Sequence, residues 1–212
     1  MQSSCPVTDV VLKDRSHVVI RPLGPSDKAG LAEGFERLSE TSRYRRFLSP
    51  TMRLTAKQLA YLTELDHHDH EALVAIDPSS RDGVGVARYV RSREDAEQAE
   101  AAVVVADDWQ RRGVGTALLR HLAAHAREHG IERFTGFILS DNRAIRELLE
   151  GLGQLEQRHA GGNTVEVSLQ IPEDPLGEQH ERHLAGWVRA AARGQLESRL
   201  RALAGRWRAP QH

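Results

Sequence analysis

Apolar and polar positions alternate in two patterns between residues 17 and 171 of the chain. Short runs rich in Val, Ile and Leu predict strands, and apolar positions three and four residues apart predict amphipathic helices. The first pattern predicts strands at 17–23, 72–76, 84–91, 101–106, 134–139, 154–159 and 165–171. The second pattern predicts helices at 27–38, 41–48, 55–65, 116–129 and 143–152.

The two ends of the chain differ from this regular middle part. Residues 1–15 are polar and mixed, and we expect no regular element there. Pro172 and Pro175 predict a boundary between a domain at 1–172 and a C-terminal helical extension at 173–212. An apolar stripe at 183–207 predicts a helix that docks on its own domain or on a second subunit, which would form a homodimer. A basic amphipathic helix for a membrane or nucleic acid is the alternative, but the alanine-rich stripe favours it less.

The stretch 97–119 has the character of an anion-binding site. A β-branched apolar run at 101–106 predicts a buried strand, the polar residues 107–114 predict a turn, and a helix follows. The free amides of a first helical turn and the helix dipole both favour negative charge, and glycine lets a phosphate approach the backbone. The sequence therefore predicts that this turn binds a phosphate group.

The glycine spacing in this turn distinguishes between families of phosphate-binding loops. The segment Gln110–Gly115 lacks the Gly-Lys-Ser/Thr end of a Walker loop and the third glycine of a Rossmann fingerprint. It resembles the pyrophosphate loop of the GNAT acetyltransferase superfamily, in which Gln/Arg-x-x-Gly-x-Gly/Ala follows a hydrophobic strand. The alternative is a strand-to-helix turn with incidental glycines.

Three segments extend this resemblance over about residues 18–171. LSETSRYRRFLSP at 38–50, LTAKQLAYLTELDHHDHEALVAID at 54–77 and AEAAVVVADDWQRRGVG at 99–115 together resemble bacterial GNAT protein lysine acetyltransferases. The resemblance implies an α/β (α+β) domain of the GNAT fold, with a central mixed, mostly antiparallel sheet flanked by helices. It also implies acetyl-CoA as cosubstrate and a protein lysine as acceptor.

Glu100 matches the position of the catalytic glutamate in this family, so the resemblance implies that it is the general base. A lysine with a pKa near 10.4 is almost entirely protonated at pH 7, and a nearby carboxylate can remove its proton. Strand parity places Glu100, Ala102 and Val104 on one face. The alternatives are a solvent-facing glutamate at a strand end, or Glu97 as the base.

The resemblance also implies the residues that bind coenzyme A. Asn142 would contact the pantetheine arm, although it is equally suited to cap the helix that follows. Arg111 and Arg112 would pair with phosphates, unless they are simply solvated. The complete set predicted to bind the cosubstrate is Val103, Val104, Val105, Gln110, Arg111, Arg112, Gly113, Val114, Gly115, Thr116 and Asn142.

Two further features concern the chemistry of the site: a missing tyrosine and a histidine-rich cluster. Residues 143–152 contain no tyrosine, although many superfamily members have one there to protonate the departing thiolate. The dense cluster Asp66-His67-His68-Asp69-His70 could bind a transition metal, but neighbouring residues point in different directions and no second cluster of ligands is visible. We therefore predict a polar connecting loop at this cluster and no metal site.

The composition narrows the class of protein further. Across 212 residues the formal net charge is −1 and 40% of residues are hydrophobic, so no global field attracts nucleic acid or an anionic membrane. Cys5 is the single cysteine, which excludes an intramolecular disulfide, and the lack of a plausible cysteine nucleophile agrees with direct transfer. No transmembrane run or signal pattern is present, and we expect a cytoplasmic protein.

The resemblance implies an N-acetyltransferase that passes an acetyl group from acetyl-CoA directly to a primary amine, and the other observations agree with it. The amine is expected to be a protein lysine, by resemblance alone. A small-molecule amine is the first alternative acceptor. A non-catalytic module that senses acyl-CoA is the second alternative, which the missing tyrosine supports.

Overall fold

The computed structural model describes residues 6–48 and 53–177, so the helix predicted at 183–207 lies outside the described residues. The strands are β1 Thr8–Val11, β2 His17–Pro22, β3 His70–Ile76, β4 Gly83–Arg91, β5 Gln98–Val105, β6 Arg133–Leu139, β7 Gln154–Gly161 and β8 Thr164–Gln170. The α-helices are α1 Lys28–Arg37, α2 Glu40–Phe47, α3 Ala56–Thr63, α4 Val114–Glu128 and α5 Arg143–Glu150. Short 3-10 turns at Pro25–Asp27 and Asp107–Trp109 precede α1 and the loop before α4.

The strands form one sheet in the order β1-β2-β3-β4-β5-β6-β8-β7. Each neighbouring pair is antiparallel except β5 and β6, which run parallel. Helix α4 lies in the crossover connection that parallel strands require, because β5 ends and β6 begins at opposite ends of the sheet. The predicted mixed, mostly antiparallel sheet flanked by helices is confirmed.

The two faces of the sheet carry separate apolar clusters. The larger cluster packs α4 against the sheet, where Leu118 and Leu122 are fully buried, and Ala101, Val103 and Val105 of β5 contact it. The smaller cluster lies on the opposite face and includes Leu31 of α1. Since alternate residues of a strand point to opposite faces, Glu100, Ala102 and Val104 face the side of the smaller cluster. The parity predicted for β5 is confirmed.

The helix predictions hold to within a few residues, with one error at α2. Thr55 caps α3 and forms a capping box with Gln58, and Asn142 accepts a hydrogen bond from Ile145 N at 3.4 Å as the cap of α5. The predicted cap of α2 at residue 41 or 42 is wrong, because Ser39 caps it and accepts from Ser42 N. Ser39 belongs to a run of polar residues in which local sequence does not single out one cap.

The expectation of an irregular segment at 1–15 is wrong for residues 8–11. Thr8–Val11 forms β1 and pairs antiparallel with β2, and Val10 and Leu12 are buried. The apolar run Val10-Val11-Leu12 is too short to identify a strand from sequence. The register of β1 depends on its pairing with β2, which lies several residues further along the chain.

The histidine-rich segment at 66–70 is a polar connection, as predicted. Asp66 Oδ1 accepts backbone hydrogen bonds from His68, Asp69 and His70 at 2.8–2.9 Å, which folds the segment into a tight turn before β3. Within residues 6–48 and 53–177, no group of three or more potential ligands is placed to hold a metal ion.

Candidate functional site

A cleft opens in the sheet where the parallel strands separate. β5 and β6 pair over three positions, from Gln98 opposite Arg133 to Glu100 opposite Thr135, and then diverge. Between Ala101 and Val105, β5 retains β4 as a partner on one edge, and its other edge faces the opening. The cleft has a volume of about 670 Å³, which is within the usual range for ligand sites. Backbone groups along the free edge of β5 are therefore available to a bound molecule.

The wide end of the cleft is closed by the glycine-bearing loop and the N-terminus of α4. Gly113 is the N-cap with φ 103°, and Arg111 also has a positive φ of 62°. The first intrahelical bond runs from Ala117 N to Gly113 O at 3.0 Å. The amides of Val114, Gly115 and Thr116 precede it and have no intrahelical carbonyl to bind. This end of the cleft suits an anionic group.

Gly115 lets α4 approach both neighbouring elements closely. A Cβ atom at this position would lie 2.9 Å from Leu148 Cδ1 of α5 and 3.5 Å from Val105 Cγ2 of β5. A side chain at this position would therefore require the Leu148 side chain to shift. The second glycine of the predicted motif has a packing role in addition to any role beside a phosphate.

A hydrogen-bond network joins the loop to helix α2. Asp107 accepts hydrogen bonds from Ser39 N at 2.8 Å, Ser39 Oγ at 2.9 Å and Ser42 Oγ at 2.7 Å. Gln110 Nε2 donates to Ser42 Oγ and to Val105 O, both at 3.1 Å. Two of the segments that carry the family resemblance, 38–50 and 99–115, are therefore in direct contact.

We expect Asp107→Asn to lower the free energy of unfolding by about 1 kcal/mol at neutral pH, the low end for a charged acceptor because Asp107 is exposed. Partial burial raises the pKa of Asp107, but the hydrogen bonds from Ser39 and Ser42 outweigh it and hold the pKa below its ordinary value. The stabilisation is therefore present above the ordinary carboxyl pKa of about 3.9 and is lost as pH falls through the lower folded-state value.

Denaturant unfolding of wild type and Asp107→Asn at several pH values tests this expectation. Asp108→Asn, at the exposed neighbouring position of the same turn, is the matched control and should leave stability unchanged. A difference between wild type and Asp107→Asn that stays constant down to pH 2 would contradict the assigned role of the carboxylate.

Nine of the eleven residues predicted to bind the cosubstrate line the cleft: Val103, Val104, Val105, Gln110, Arg111, Gly113, Gly115, Thr116 and Asn142. The side chain of Val114 is directed into the core and is 1% exposed. The Arg112 side chain is held outside the cleft, because its Nε lies 2.5 Å from Asp14 Oδ2 and its guanidinium stacks on the Trp109 ring. The side chains of Val114 and Arg112 therefore do not line the cleft.

Glu100 lies beside the narrow end of the cleft, at the last paired position before β5 and β6 separate, and it is not among the residues that line the cleft. It is exposed. Its neighbours along β5 on the same face are Ala102 and Val104, and Val104 lines the cleft. Glu97 lies in the turn before β5, where its backbone carbonyl accepts from Glu132 N and Arg133 N. Glu100 is therefore nearer to the open strand edge than Glu97 is.

Sequence reasoning missed several basic residues around the cleft. Lys13 reaches the loop because its backbone N donates to Arg112 O at 3.3 Å, a contact that follows from the unpredicted strand β1. Basic side chains from distant parts of the chain line the cleft: Lys13, Arg45, Arg46, Arg111, Arg120 and Arg143. A neutral chain thus concentrates positive charge at one site, which favours a ligand with several negative charges.

A second, apolar pocket lies on the opposite face of the sheet, between β4 and helices α1 and α2. Its volume is about 80 Å³, and Phe35, Phe47 and Val86 form part of its lining. Arg46 and Val104 line both this pocket and the cleft. The cleft and the apolar pocket therefore adjoin at the side chains of Arg46 and Val104. Val104 lies on β5, the strand that also carries Glu100.

The fold combines a cleft between diverging parallel strands with a glycine-bearing loop and a helix N-terminus at the wide end of that cleft. Residues 17–154 match the family model described as the acetyltransferase (GNAT) domain. The chain belongs to this family.

Named relatives agree with this assignment. The chain is 35% identical over 156 residues to acetyltransferase PA5475 of Pseudomonas aeruginosa, covering 72% of this chain and 83% of PA5475. It is 34% identical over 153 residues to acetyltransferase Pat of Mycolicibacterium smegmatis, covering 72% of this chain and 45% of Pat. The chain thus spans about half the length of Pat.

Solved structures show the same fold. The GNAT domain of S. lividans PAT superposes with a TM-score of 0.72 at 32% identity, covering 78% of this chain and 97% of that domain. A cAMP-binding acyltransferase from Mycobacterium smegmatis gives a TM-score of 0.59 at 27% identity, over 92% of this chain and 56% of that protein. Within the described ranges, no helix combines the length and the apolar character needed to cross a membrane.

Proposed function

We propose that the chain is an N-acetyltransferase that passes the acetyl group of acetyl-CoA to a primary amine, the side chain of a protein lysine. The observation that carries the proposal is the cleft itself. It leads from a helix N-terminus suited to a pyrophosphate, along a free strand edge, toward the point where β5 and β6 meet, and Glu100 lies at that point beside the lining of the cleft. This order matches the order of pyrophosphate, pantetheine and thioester in acetyl-CoA.

In this arrangement the loop and α4 bind the pyrophosphate. The amides of Gly113, Val114, Gly115 and Thr116 donate to it, and Arg111 adds charge at the cleft wall. The free edge of β5 at Val103–Val105 binds the amide groups of the pantetheine arm, as an added strand would. Asn142 lies on the opposite wall, where its side chain also caps α5.

The carboxylate of Glu100 then acts as the general base. It removes one proton from the lysine ammonium, directly or through water, because a protonated amine has no lone pair with which to attack. The neutral amine forms a C–N bond with the thioester carbonyl carbon, and a backbone N–H of β5 stabilises the resulting oxyanion. The C–S bond breaks, coenzyme A leaves as a thiolate, and the nitrogen loses its second proton to water.

Helix α5 contains no tyrosine, so the thiolate takes its proton from water or from another residue, or leaves unprotonated. The thiolate of coenzyme A is a good leaving group, because an unperturbed thiol has a pKa of only about 8.5. The proposed reaction therefore does not depend on an acid from α5. The proposal of a lysine acceptor is supported only by the resemblance of the three segments 38–50, 54–77 and 99–115 to bacterial protein lysine acetyltransferases.

A transfer assay with isotope-labelled acetyl-CoA tests the proposal. The purified chain is incubated with a lysine-containing protein mixture or with a panel of small amines, and labelled products are identified by mass spectrometry. Label on protein lysines supports the proposal. Label on small amines alone would show that the acceptor is a small amine and not a protein lysine. Tight binding of acetyl-CoA without transfer to any amine would favour a sensing module instead.

A further inference from the structure

Two arginines lie on the same face of the sheet as Glu100. In the β4–β5 register, Arg88 is directly opposite Ala102, and Glu100 and Val104 flank Ala102 on that face. Arg88 is 6% exposed, which is unusual for an arginine. It is the one charged side chain in the middle of β4, between Val86 and Val90, and it also lines the apolar pocket.

The contacts of Arg88 leave its positive charge without a close counter-charge. Its guanidinium contacts His70 Nε2 and lies over the ring of Tyr61, 5.0 Å from the centroid. Burial, and then the charge of Arg88, lower the pKa of His70 to about 4, so this histidine is neutral at pH 7. Among the described residues, no carboxylate lies within 4.0 Å of Arg88.

Arg46 of α2 brings a second positive charge to the same place. It lines both the cleft and the apolar pocket, and its guanidinium lies 5.0 Å from the centroid of the Phe47 ring. Burial, and then the charge of Arg88, lower the pKa of Arg46 to about 10, while Glu100 opposes this change. Arg46 is thus charged at neutral pH, within electrostatic reach of both Arg88 and Glu100. It too has no carboxylate within 4.0 Å in the described ranges.

We propose that Arg46 and Arg88 bind an anionic group that the acceptor carries close to its reactive amine. The inference rests on the proposed function, in which the amine lies beside Glu100. When the amine is neutral, the side chains of Arg46, Arg88 and Glu100 together have a net charge of +1. A carboxylate from the acceptor would balance this charge. The favoured acceptor is a lysine flanked by Asp or Glu, and a lysine within a basic segment is disfavoured.

Binding to two matched peptides tests this inference without requiring turnover. The peptides are acetyl-EEEKEEE-amide and acetyl-QQQKQQQ-amide, titrated calorimetrically into the protein with and without saturating coenzyme A. We expect the Glu peptide to bind at least about tenfold more tightly, because one charge-assisted contact contributes at least that factor. The pair 6-aminohexanoate and 6-aminohexanamide distinguishes a small acidic amine from an acidic peptide as the source of the anion.

Substitutions test which residues produce the preference for the Glu peptide. Arg88→Gln and Arg46→Gln should each reduce the preference for the Glu peptide to less than about threefold, and Arg88→Lys should restore part of it. Arg158→Gln, on the exposed face of β7, removes the same charge elsewhere and should leave the preference intact. Melting temperatures verify folding, and Arg46→Gln, at a half-buried position, keeps the test valid if Arg88→Gln does not fold.

Several results would overturn the inference. These are equal affinity for both members of each pair, no binding of any probe, or a preference that persists in both Gln variants. Failure of the proposed function looks different, because coenzyme A itself would then give no binding heat and acetyl-CoA no transfer. An intact charge preference together with absent transfer would keep the anion site and reject the enzyme.

Discussion

Glu100→Gln lowers the rate of acetyl transfer by at least about 100-fold, the usual contribution of a general base. The substitution keeps the shape of the side chain and removes the group that accepts the proton from the lysine ammonium. Glu100 is exposed at the point where β5 and β6 separate, so the variant should still fold, with a small loss of stability because the substitution removes a negative charge that acts on Arg46 and Arg88. The affinity for acetyl-CoA should stay the same, because the loop and the edge of β5 are untouched.

Steady-state kinetics and calorimetric titration of the variant measure these two quantities separately. Glu97→Gln is the informative partner, since Glu97 is the other candidate base and lies in the exposed turn before β5. We expect Glu97→Gln to retain wild-type activity. Unchanged transfer in Glu100→Gln, or a collapse in Glu97→Gln, would remove Glu100 from the reaction.

Gly113→Asp weakens acetyl-CoA binding by at least about 100-fold, because a carboxylate would lie beside the proposed pyrophosphate position. Aspartate is a common N-cap in extended backbone, but Gly113 has φ 103°, where an L side chain is strained. The strain lowers stability, and the charge lowers affinity. These two effects need to be separated.

Gly130→Asp supplies the matched control. Gly130 lies just beyond the C-terminal end of the same helix α4 with φ 76°, and a Cβ atom there would meet no atom within 4 Å. The variant adds the same strain and the same charge far from the cleft, so it should lose stability and keep acetyl-CoA affinity. Equal loss of affinity in the two variants would show that the loop has no special role.

The parts of the fold that depend on local sequence were predictable. The β-branched run of β5 and the glycines of the next turn identified a strand, a loop and a helix start, because each depends on residues adjacent in the chain. Helix α4 begins at Val114, two residues before the predicted start. Strand parity likewise predicted the face on which Glu100 and Val104 lie.

Features that depend on distant residues were not predictable from local sequence. Arg88 is adjacent to Glu100 because of the β4–β5 register, and a lone arginine in an apolar strand was the one available indication. The Arg112 side chain is drawn from the loop by Asp14, which is 98 positions away in the chain. Spacing patterns describe neighbours along one element, and they contain no information about such contacts.

The most direct test of the central claim is calorimetric titration of acetyl-CoA into the wild-type chain. A cleft with a basic lining, a helix N-terminus at its wide end and a free strand edge predicts saturable binding at a single site, with a dissociation constant in the micromolar range. Absence of binding heat at millimolar acetyl-CoA would contradict the account, because the enzyme and the sensing module both require this site.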